Sequence, residues 1–515
     1  MSTTAHELRQ GRYGLAELGA IIDAGSALSL SGEVADAVAT GSAFVREIAV
    51  GPQHVYGVNT GFGALCETRV APEQVNELQF NHVVSHAAGV GEPATQRISR
   101  LAMLIKLLTF RTGITGIGRG PIDRLIELWN SDAIPVIPGK GTVGASGDLS
   151  PLAHLSLPLL GLGEVWVDGE RRPATVLGEQ YGMEPITLAA KEGLALTNGV
   201  QYITAHAVDS LLRIAELADF ADVVAGLSAQ AFSTSNTFAH ALYHTSTAHE
   251  DRKTVARNLR AAMLGGNHHT LDTANKSKQD PYSFRCIPQV HGAIRQVVNF
   301  AWKTIEDEVN SVSDNPLFFA EEEMALFGGN LHGESVAFSL DMLAIAVSEL
   351  ANISERRTYQ LHSGRRGLPD FLVANSGVNS GLMIAQYTSA ALVNESKTLS
   401  HPASVDTIPT CQLQEDHVSM GGTSAYKLRT IIDNCEYVLG IELISAAQAA
   451  QLLPGLELSE MGRDLLESLR KEVDFLDSDR VIATDLELAR NFVAREAGSW
   501  SRRIRQEADR LAAAE

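Results

Sequence analysis

The chain has 515 residues but only four cysteines, at positions 66, 286, 411 and 435, and no two of them form a C-x-x-C pair. This scarcity predicts reduced thiols rather than a disulfide framework or a cysteine-rich metal site. Basic residues are also few, because 41 lysines and arginines stand against 61 acidic residues and give a formal net charge of −20. An excess of acid of this kind argues against nucleic acid or an anionic membrane as a partner.

Long apolar runs are missing as well. No stretch of eighteen consecutive apolar residues occurs, so we expect no transmembrane helix. The segment 1–14 reads MSTTAHELRQGRYG and lacks the apolar core of a secretory signal. Internal repeats and low-complexity tracts are absent too. Together these absences predict a globular protein of the cytoplasm.

Helical periodicity dominates what is present. Apolar residues three and four apart mark seven segments, and the longer ones in the second half suit a buried bundle. One short strand is expected at 164–168. We therefore predict a mainly α protein, with a loop-rich N-terminal domain over 1–200 and a helical-bundle domain over 201–515. The predicted helices are 76–88, 98–110, 122–130, 197–226, 336–361, 381–399 and 418–453.

The most informative segment is 141–154, which reads GTVGASGDLSPLAH. Ala145, Ser146 and Gly147 are small residues in a glycine-rich stretch, and such a backbone tolerates dihedral angles that bulkier residues cannot reach. If the amide nitrogen of Gly147 attacks the carbonyl carbon of Ala145 and water is lost from the ring and from Ser146, an electrophilic methylidene-imidazolone results. Such a group captures amines, so the segment points to chemistry on an amine.

The same segment has a plain structural interpretation. Ser146 and Asp148 are good helix N-cap residues, and an apolar pattern follows them. A hydrolase elbow is excluded, because G-x-S-x-G needs glycine where Asp148 stands. The tripeptide alone therefore leaves helix capping and cyclisation open.

A tyrosine and two histidines lie in the next informative segments. Tyr56 begins YGVNTGFG, whose glycines and asparagine are typical of a tightly turning loop. A phenol titrates near 10, so Tyr56 acts as a base near neutrality only if its neighbours lower its pKa. His82 and His86 have the i,i+4 spacing of a metal pair. The glutamate of H-E-x-x-H is missing and no carboxylate ligand is evident nearby, so we expect no metal.

Three further polar residues stand in distinctive contexts. Arg285 lies in QDPYSFRC, and its planar donor array suits either a substrate carboxylate or a surface ion pair. Asn198 interrupts an apolar segment. A buried amide side chain forms hydrogen bonds either with the backbone or with a ligand. Glu415 lies in QEDHVSMG at the expected start of a long helix, where the helix dipole favours an acidic residue. Each of these residues, considered alone, is compatible with either a structural or a functional role.

Taken together, the motifs resemble those of the aromatic amino acid ammonia-lyase family, from about Tyr56 to Met420. Supporting matches are SDNP at 313–316 and GGNLHGE at 328–334. The resemblance implies a long central helical bundle that packs in a homotetramer with active sites shared between chains. It also implies that residues 145–147 cyclise autocatalytically to 4-methylidene-imidazol-5-one, with no external cofactor.

The family's site residues carry over by position. The resemblance makes Tyr56 the base that lies over the prosthetic group, and Tyr282 a second active-site tyrosine that assists at the amine. Asn198 would hold the prosthetic ring's carbonyl and the substrate carboxylate. Arg285, assisted by Gln279, would bind the same carboxylate.

Two positions carry the substrate argument. Members that act on phenylalanine or tyrosine usually have Phe-Leu or His-Leu where this chain has Ser85-His86, and those acting on histidine have Ser-His. Members acting on phenylalanine have glutamine where Glu415 stands. The resemblance therefore implies a carbon–nitrogen lyase that converts L-histidine to trans-urocanate and ammonia, with His86 and Glu415 recognising the imidazole.

The chain departs from the family at two positions and leaves alternatives open. Leu331 stands where the family generally has phenylalanine, and Thr197 replaces a more usual aliphatic residue, so both touch the shape of the site. The main alternative is another aromatic ammonia-lyase or a 2,3-aminomutase on the same scaffold. A non-catalytic helical scaffold that keeps old motifs is a further alternative, against which the intact motifs count.

Overall fold

The protein is mainly helical, as the apolar periodicity predicts. The computed structural model describes residues 5–274 and 276–514. Within these ranges the predicted helices are present with ends shifted by a few residues, except that the run 197–226 is interrupted near its start. The helices are α1 (Leu15–Ala24), α2 (Gly32–Val50), α3 (Val75–His86), α4 (Gln96–Phe110), α5 (Arg119–Asn130), α6 (Leu149–Ser156), α7 (Val176–Tyr181), α8 (Glu192–Thr197), α9 (Gln201–Ala231), α10 (Ala241–His244), α11 (Glu250–Met263), α12 (Tyr282–Arg285), α13 (Ile287–Val309), α14 (Glu334–Leu361), α15 (Met383–Leu399), α16 (Gly421–Leu452), α17 (Glu460–Leu469) and α18 (Ile482–Ala514).

The strands are short and form four small sheets. β1 pairs with β2 in parallel, while β3–β5, β4–β6–β7 and β8–β9 pair antiparallel. The predicted strand at 164–168 is present as β6. The strands are β1 (His6–Leu8), β2 (Leu28–Leu30), β3 (Val90–Pro93), β4 (Ile134–Pro135), β5 (Pro138–Lys140), β6 (Glu164–Val167), β7 (Glu170–Pro173), β8 (Leu317–Phe319) and β9 (Met324–Leu326).

The interruption between α8 and α9 has a local cause. Asn198 is extended, with φ −86° and ψ 145°, and Gly199 has φ 108°, so neither continues a helix. A Cβ on Gly199 would lie 2.2 Å from the carbonyl oxygen of Ser313, so only glycine fits there. The break leaves Asn198 at the end of one helix and just before the next.

By spatial contacts the chain forms two compact units, each assembled from three segments. The first contains the chain up to Leu212, Ala301–Asp341 and Pro402–Tyr426, and the second contains Arg213–Phe300, Met342–His401 and the chain from Lys427 onward. The division into domains 1–200 and 201–515 stays a prediction. The first unit holds the small sheets and every loop that is described below as part of the site.

Each unit has its own buried core. In the first unit nearly every side chain of α4 is buried, including that of Lys106. In the second unit the guanidinium of Arg357 binds both carboxylate oxygens of Glu442, at 2.5 and 2.8 Å, with both side chains fully buried. Ser228 and Ser354 donate to the same carboxylate, so this buried charge pair is also satisfied by hydrogen bonds.

Among the residues that the structure describes, one helix is long and apolar enough to cross a membrane by length and composition. It is α14, whose most apolar window has a mean hydropathy of 1.6. Of that window 72% is buried inside the protein, which is typical of a core helix. The expectation of no transmembrane helix rested on unbroken apolar runs, and polar residues within α14 interrupt such a run.

Candidate active site

A cavity of about 480 Å³ opens in the first unit beside the Ala145-Ser146-Gly147 segment. Four of the residues singled out from the sequence, Tyr56, His86, Ser146 and Glu415, lie together in its wall. The full lining consists of Tyr56, Gly61, Phe62, Gly63, Leu65, Leu78, Asn81, His82, Ser85, His86, Ser146, Leu149, Leu194, Cys411 and Glu415.

The loop that carries Tyr56 is held by two amide side chains. Asn59 accepts a hydrogen bond from the backbone of Val55 at 2.9 Å and donates to the carbonyl of Gln53 at 2.8 Å. Gln79 on α3 donates to the carbonyl of Gly57 at 3.2 Å, while its own oxygen accepts from the first backbone N–H groups of α8. The loop is therefore fixed both internally and against two helices.

The surroundings of Tyr56 do not meet the condition for a base near neutrality, which is that its neighbours lower its pKa. Burial raises the pKa of Tyr56 above its ordinary value near 10, and the nearby carboxylate of Glu415 raises it further. The backbone N–H of Gly63, which donates to the phenol oxygen at 3.2 Å, acts in the opposite direction but does not prevail. In this chain the phenol therefore stays protonated at neutral pH.

The backbone at 144–148 is folded back on itself. Ser146 has φ 49°, which is unusual for a residue with a side chain, and Gly147 has φ 78°. The N–H of Gly147 donates to the carbonyl of Gly144 at 3.2 Å, and that of Gly199 donates to the carbonyl of Ser146 at 3.2 Å. A Cβ at position 147 would lie 2.2 Å from the carbonyl oxygen of Gly199, so the segment is tightly packed and requires glycine there.

Neither candidate cap residue caps helix α6. The hydroxyl of Ser146 donates to Oε1 of Glu415 at 3.0 Å, and Oε2 of that carboxylate accepts from the Thr410 hydroxyl at 3.0 Å. Asp148 stands at the N-cap position, but its Oδ2 accepts from the backbone N–H of Ile203 at 2.9 Å. Burial raises the pKa of Asp148 to about 7. The capping interpretation is thus wrong for both side chains.

Glu415 lies in a loop rather than in the first turn of a helix. Helix α16 begins at Gly421, three residues later than the predicted start at 418. Before it, the backbone at 411–413 takes three successive left-handed conformations, with φ 47°, 56° and 74°. The helix-dipole explanation for Glu415 is therefore wrong, and its partners are the side chains of Ser146 and Thr410.

Asn198 lies behind the Ser146 segment in a buried polar network. Its side-chain nitrogen donates to Oδ1 of Asp314 at 2.9 Å and to the carbonyl of Asn315 at 3.1 Å. Oδ2 of Asp314 pairs with Lys191 at 2.7 Å, and both charged side chains are fully buried. Oδ1 of Asn198 is buried and has no partner in the described part of the chain. In this arrangement the free atom of Asn198 is an acceptor, because Asp314 and Asn315 use both of its N–H groups.

Helix α3 presents a polar face to the site, with Gln79, His82 and His86 spaced three and four residues apart. Nδ1 of His86 lies 2.7 Å from the carbonyl oxygen of His82. Burial lowers the pKa of His86, although this hydrogen bond and Glu415 act in the opposite direction. Nε2 of His82 is bound to the hydroxyl of Thr197 at 2.8 Å. The two histidines therefore each have a protein partner, and the expectation of no metal between them stays a prediction.

Ala145, Gly147 and Asn198 adjoin Ser146 but are not in the cavity lining, and three further predicted site residues lie elsewhere in the chain. Gln279, Tyr282 and Arg285 belong to the second unit. The Tyr282 side chain is 70% exposed, and the guanidinium of Arg285 lies 4.4 Å from the centre of the Tyr282 ring. These three residues therefore belong to a different unit from Ser146.

Several lining residues were not predicted from the sequence. Phe62 packs against His82 with ring centroids 4.0 Å apart, and Cys411 accepts a hydrogen bond from the backbone of Ala64 at 3.3 Å. Helical spacing would have identified Gln79 and His82, because they share a face with His86. No local signal marks Cys411, because the chain brings it to the cavity from more than 300 residues away.

Proteins of similar sequence define the family of this chain. The sequence profile described as aromatic amino acid lyase matches residues 14–471. A histidine ammonia-lyase of Symbiobacterium thermophilum is 42% identical over 474 residues, which are 92% of this chain and 93% of that protein. The chain therefore belongs to the aromatic amino acid lyase family, and it is a carbon–nitrogen lyase.

Solved structures agree with this membership. The crystal structure of histidine ammonia-lyase from Trypanosoma cruzi superposes with a TM-score of 0.89 at 38% identity, covering 97% of this chain and 95% of that one. Tyrosine aminomutase from Streptomyces globisporus superposes with a TM-score of 0.91 at 31% identity, covering 98% and 99%. The helical fold is thus shared by members with different named activities.

Proposed function

We propose that this chain converts L-histidine to trans-urocanate and ammonia in the cytoplasm. The observation that supports this most directly is that His86 and Glu415 line the same cavity as Ser146 and Tyr56. A carboxylate and an imidazole nitrogen suit a substrate ring that carries nitrogen, and neither finds a partner on a phenyl ring. The named activity of relatives that are more than 40% identical over nine-tenths of the chain points the same way.

We further propose that Ala145, Ser146 and Gly147 become the methylidene-imidazolone, with no external cofactor or metal. The residues fit this group, because the segment is folded back at Ser146 and close packing restricts position 147 to glycine. When formed, the group supplies an electrophile that binds the substrate amine and makes it a better leaving group. The predicted role of Asn198, to hold the ring carbonyl and the substrate carboxylate, requires a free N–H donor, whereas Asp314 and Asn315 occupy both of its N–H groups and leave only Oδ1 free. In that role Asn198 would have to release one of these two hydrogen bonds.

The remaining roles belong to residues of the chain. Tyr56 takes the β-proton, and His86 and Glu415 hold the imidazole ring. Gln279, Tyr282 and Arg285 would reach the cavity from a neighbouring chain of a homotetramer, where Arg285 binds the substrate carboxylate and orients it for elimination. The partner of the protein is then a small amino acid, with no nucleic acid or membrane involved.

Product analysis tests the proposal. The purified protein is supplied separately with L-histidine, L-tyrosine and L-phenylalanine, and each mixture is analysed for the α,β-unsaturated acid and for the β-amino acid. We expect urocanate from histidine alone. A Ser146→Ala variant is the matched control, because it has no hydroxyl to eliminate, and it should lose nearly all activity. Products only from tyrosine or phenylalanine would contradict the substrate assignment.

The aminomutase alternative is tested by the same mixtures. The close superposition on tyrosine aminomutase keeps this activity open. A mutase returns ammonia to the β-carbon, so it would accumulate a β-amino acid in place of free ammonia. A protein that forms neither product from any of the three substrates would favour a non-catalytic scaffold.

A further inference from the structure

His82 lines the cavity but has no role in the proposed reaction. It is only 4% exposed, and its ring packs against Phe62 of the Tyr56 loop and against the ring of His86. Thr197, to which it is bound, is fully buried at the end of α8. Thr197 is also one of the two positions where the chain departs from the family, because an aliphatic residue is more usual there. A polar pair therefore stands behind the wall of a cavity proposed to hold an aromatic ring.

Hydrogen-bond accounting fixes the tautomer of His82. The Thr197 hydroxyl has one hydrogen, and it lies 3.1 Å from the carbonyl oxygen of Gly193 in the preceding turn, where threonine hydroxyls commonly donate. The 2.8 Å contact between Thr197 and Nε2 of His82 then requires the histidine to donate. Nδ1 of His82 is left as a bare lone pair, buried and without a partner in the described chain. The opposite tautomer would bury an unpaired N–H, which native proteins rarely contain.

The state of His82 agrees with this assignment. Burial lowers the pKa of His82 well below its ordinary value, and the neighbouring His86 and Lys191 lower it further. Glu415 lies across the same cavity, but its contacts in the structure are with Ser146 and Thr410. His82 is therefore a neutral ring with a fixed orientation.

The same accounting defines what His86 offers to a ligand. A carbonyl oxygen only accepts, so the 2.7 Å contact with the carbonyl of His82 places the proton of a neutral His86 on Nδ1. Nε2 of His86 then carries a lone pair. Nδ1 also lies 3.1 Å from the hydroxyl of Ser85, but both contacts are made by the same nitrogen and leave the rest of the ring to be held by packing. The ring of His82 packs on the ring of His86, with centroids 4.0 Å apart and an angle of 44° between the planes. The ring of Phe62 also packs on His82, with centroids 4.0 Å apart.

We propose that His82, held by Thr197, is a positioning residue that determines specificity for a substrate ring bearing an N–H group. It fixes the plane of His86 so that Nε2 accepts a hydrogen bond from that ring, and a ring without N–H leaves this acceptor unpaired. This inference rests on the proposed function, because it assigns His86 to ring recognition. The inference adds His82 and Thr197 to the proposed site, as residues that act through His86 and do not contact the reacting atoms.

The rival explanation is that the pair only stabilises the fold. The two explanations differ in what a substitution affects. Loss of a packing contact weakens the binding of every ligand, lowers kcat and lowers the melting temperature. Loss of a positioning contact weakens the binding of nitrogen-bearing rings and spares a ligand of the same shape without nitrogen.

The test compares urocanate with trans-cinnamate, which carries a phenyl ring in place of the imidazole. The variants are His82→Leu and Thr197→Val, with Thr197→Ser as the conservative control that keeps the hydroxyl. Calorimetry gives the dissociation constant of each acid, and steady-state kinetics give KM and kcat for L-histidine. Intact mass confirms that every variant has lost the same number of water molecules as the wild type.

We expect His82→Leu and Thr197→Val to weaken urocanate binding and raise KM for L-histidine roughly tenfold, as for one lost hydrogen bond in a buried site. The kcat should stay within about threefold and cinnamate affinity within about twofold, because those contacts are retained. Thr197→Ser should behave like the wild type.

Two results would overturn the inference. One is an unchanged ratio of urocanate to cinnamate affinity in both variants, whether or not overall affinity falls. The other is a wild-type protein that binds urocanate no better than cinnamate. Failure of the proposed function is a separate observation, namely absence of urocanate production from L-histidine. If His82→Leu does not fold, Thr197→Val and Thr197→Ser still decide the question.

Discussion

At the residue scale, Tyr56 presents the main electrostatic problem of the site. Its phenol is partly buried near Glu415, and both effects raise its pKa. A tyrosine in this state is a poor base at neutral pH, because few molecules carry the phenolate. Among the described residues the backbone N–H of Gly63 lowers its pKa but does not offset burial and Glu415, so the surroundings of Tyr56 in this chain favour activity at alkaline pH.

The pH dependence of kcat/KM tests this point. With Tyr56 as the base and its pKa raised, kcat/KM should rise roughly tenfold per pH unit below that pKa, without levelling off before about pH 10. Tyr56→Phe should reduce kcat about 10²- to 10⁴-fold while leaving the mass of the mature protein unchanged. A plateau that begins near pH 7 would show that a cation from outside this chain lowers the pKa of Tyr56.

Glu415 gives a second prediction at this scale. Glu415→Gln keeps an oxygen that can accept from the hydroxyl of Ser146, but it removes the negative charge facing the substrate ring. Hydrogen bonds to charged groups are stronger than neutral ones, so kcat/KM for L-histidine should fall roughly 10- to 100-fold. Intact mass should match that of the wild-type protein. An unchanged kcat/KM would remove Glu415 from ring recognition.

At the scale of elements, the polar network behind the Ser146 segment joins loop 313–316 to α8. The Lys191–Asp314 pair is fully buried, and Asp314 also accepts from Asn198. Burial lowers the pKa of Lys191, and Asp314 opposes that shift by favouring the charged form. The network is therefore stable only when both members of the pair are present.

Asp314→Asn should destabilise the protein by about 3–5 kcal/mol, because it leaves the ammonium of Lys191 buried without its counter-charge. The matched control is Asp123→Asn, which breaks the exposed Arg119–Asp123 pair at a cost of about 1 kcal/mol or less. Thermal melting of the two variants at pH 7.5 provides the comparison. Equal melting temperatures would contradict the prediction that the buried pair contributes more to the free energy of unfolding than the exposed pair.

The sequence predicts most of the helices, because apolar periodicity is a local property that burial enforces. It does not predict the break at Asn198, since that depends on the close approach of Gly199 to Ser313, more than 100 residues away. It also assigns Glu415 to a helix, although the chain there turns through three left-handed residues. In the site, Tyr56, His86, Ser146 and Glu415 come from sequence motifs and lie in one cavity. Phe62 and Cys411 were not predicted, because their places follow from packing between distant segments, and Gln79 was missed although it shares a helix face with His86.

At the scale of the whole molecule, the predicted site residues are divided between two groups in one chain. Tyr56, His86, Ser146 and Glu415 share a cavity, whereas Gln279, Tyr282 and Arg285 lie in the other unit. A homotetramer with shared sites would unite the two groups, with each chain supplying one group to a neighbour. This arrangement stays a prediction. It determines how much activity is regained when two inactive variants assemble into mixed oligomers.

Co-expression of two inactive chains tests it. One chain carries Ser146→Ala and the other Arg285→Ala, and each alone should be inactive. If each site takes its two groups from different chains, random assembly leaves roughly one site in four fully wild type, so about a quarter of wild-type activity should return. Separately purified variants that are mixed after assembly serve as the control. Activity that stays at the level of that control would contradict shared sites.

The most direct test of the whole account is the mass of the peptide that contains residues 145–147, measured on the purified and active protein. We predict a mass lower than that of the unmodified sequence by two water molecules, and a Ser146→Ala protein that cannot lose the second. An active wild-type protein whose peptide keeps its full mass would contradict the self-made electrophile, and with it the proposed function.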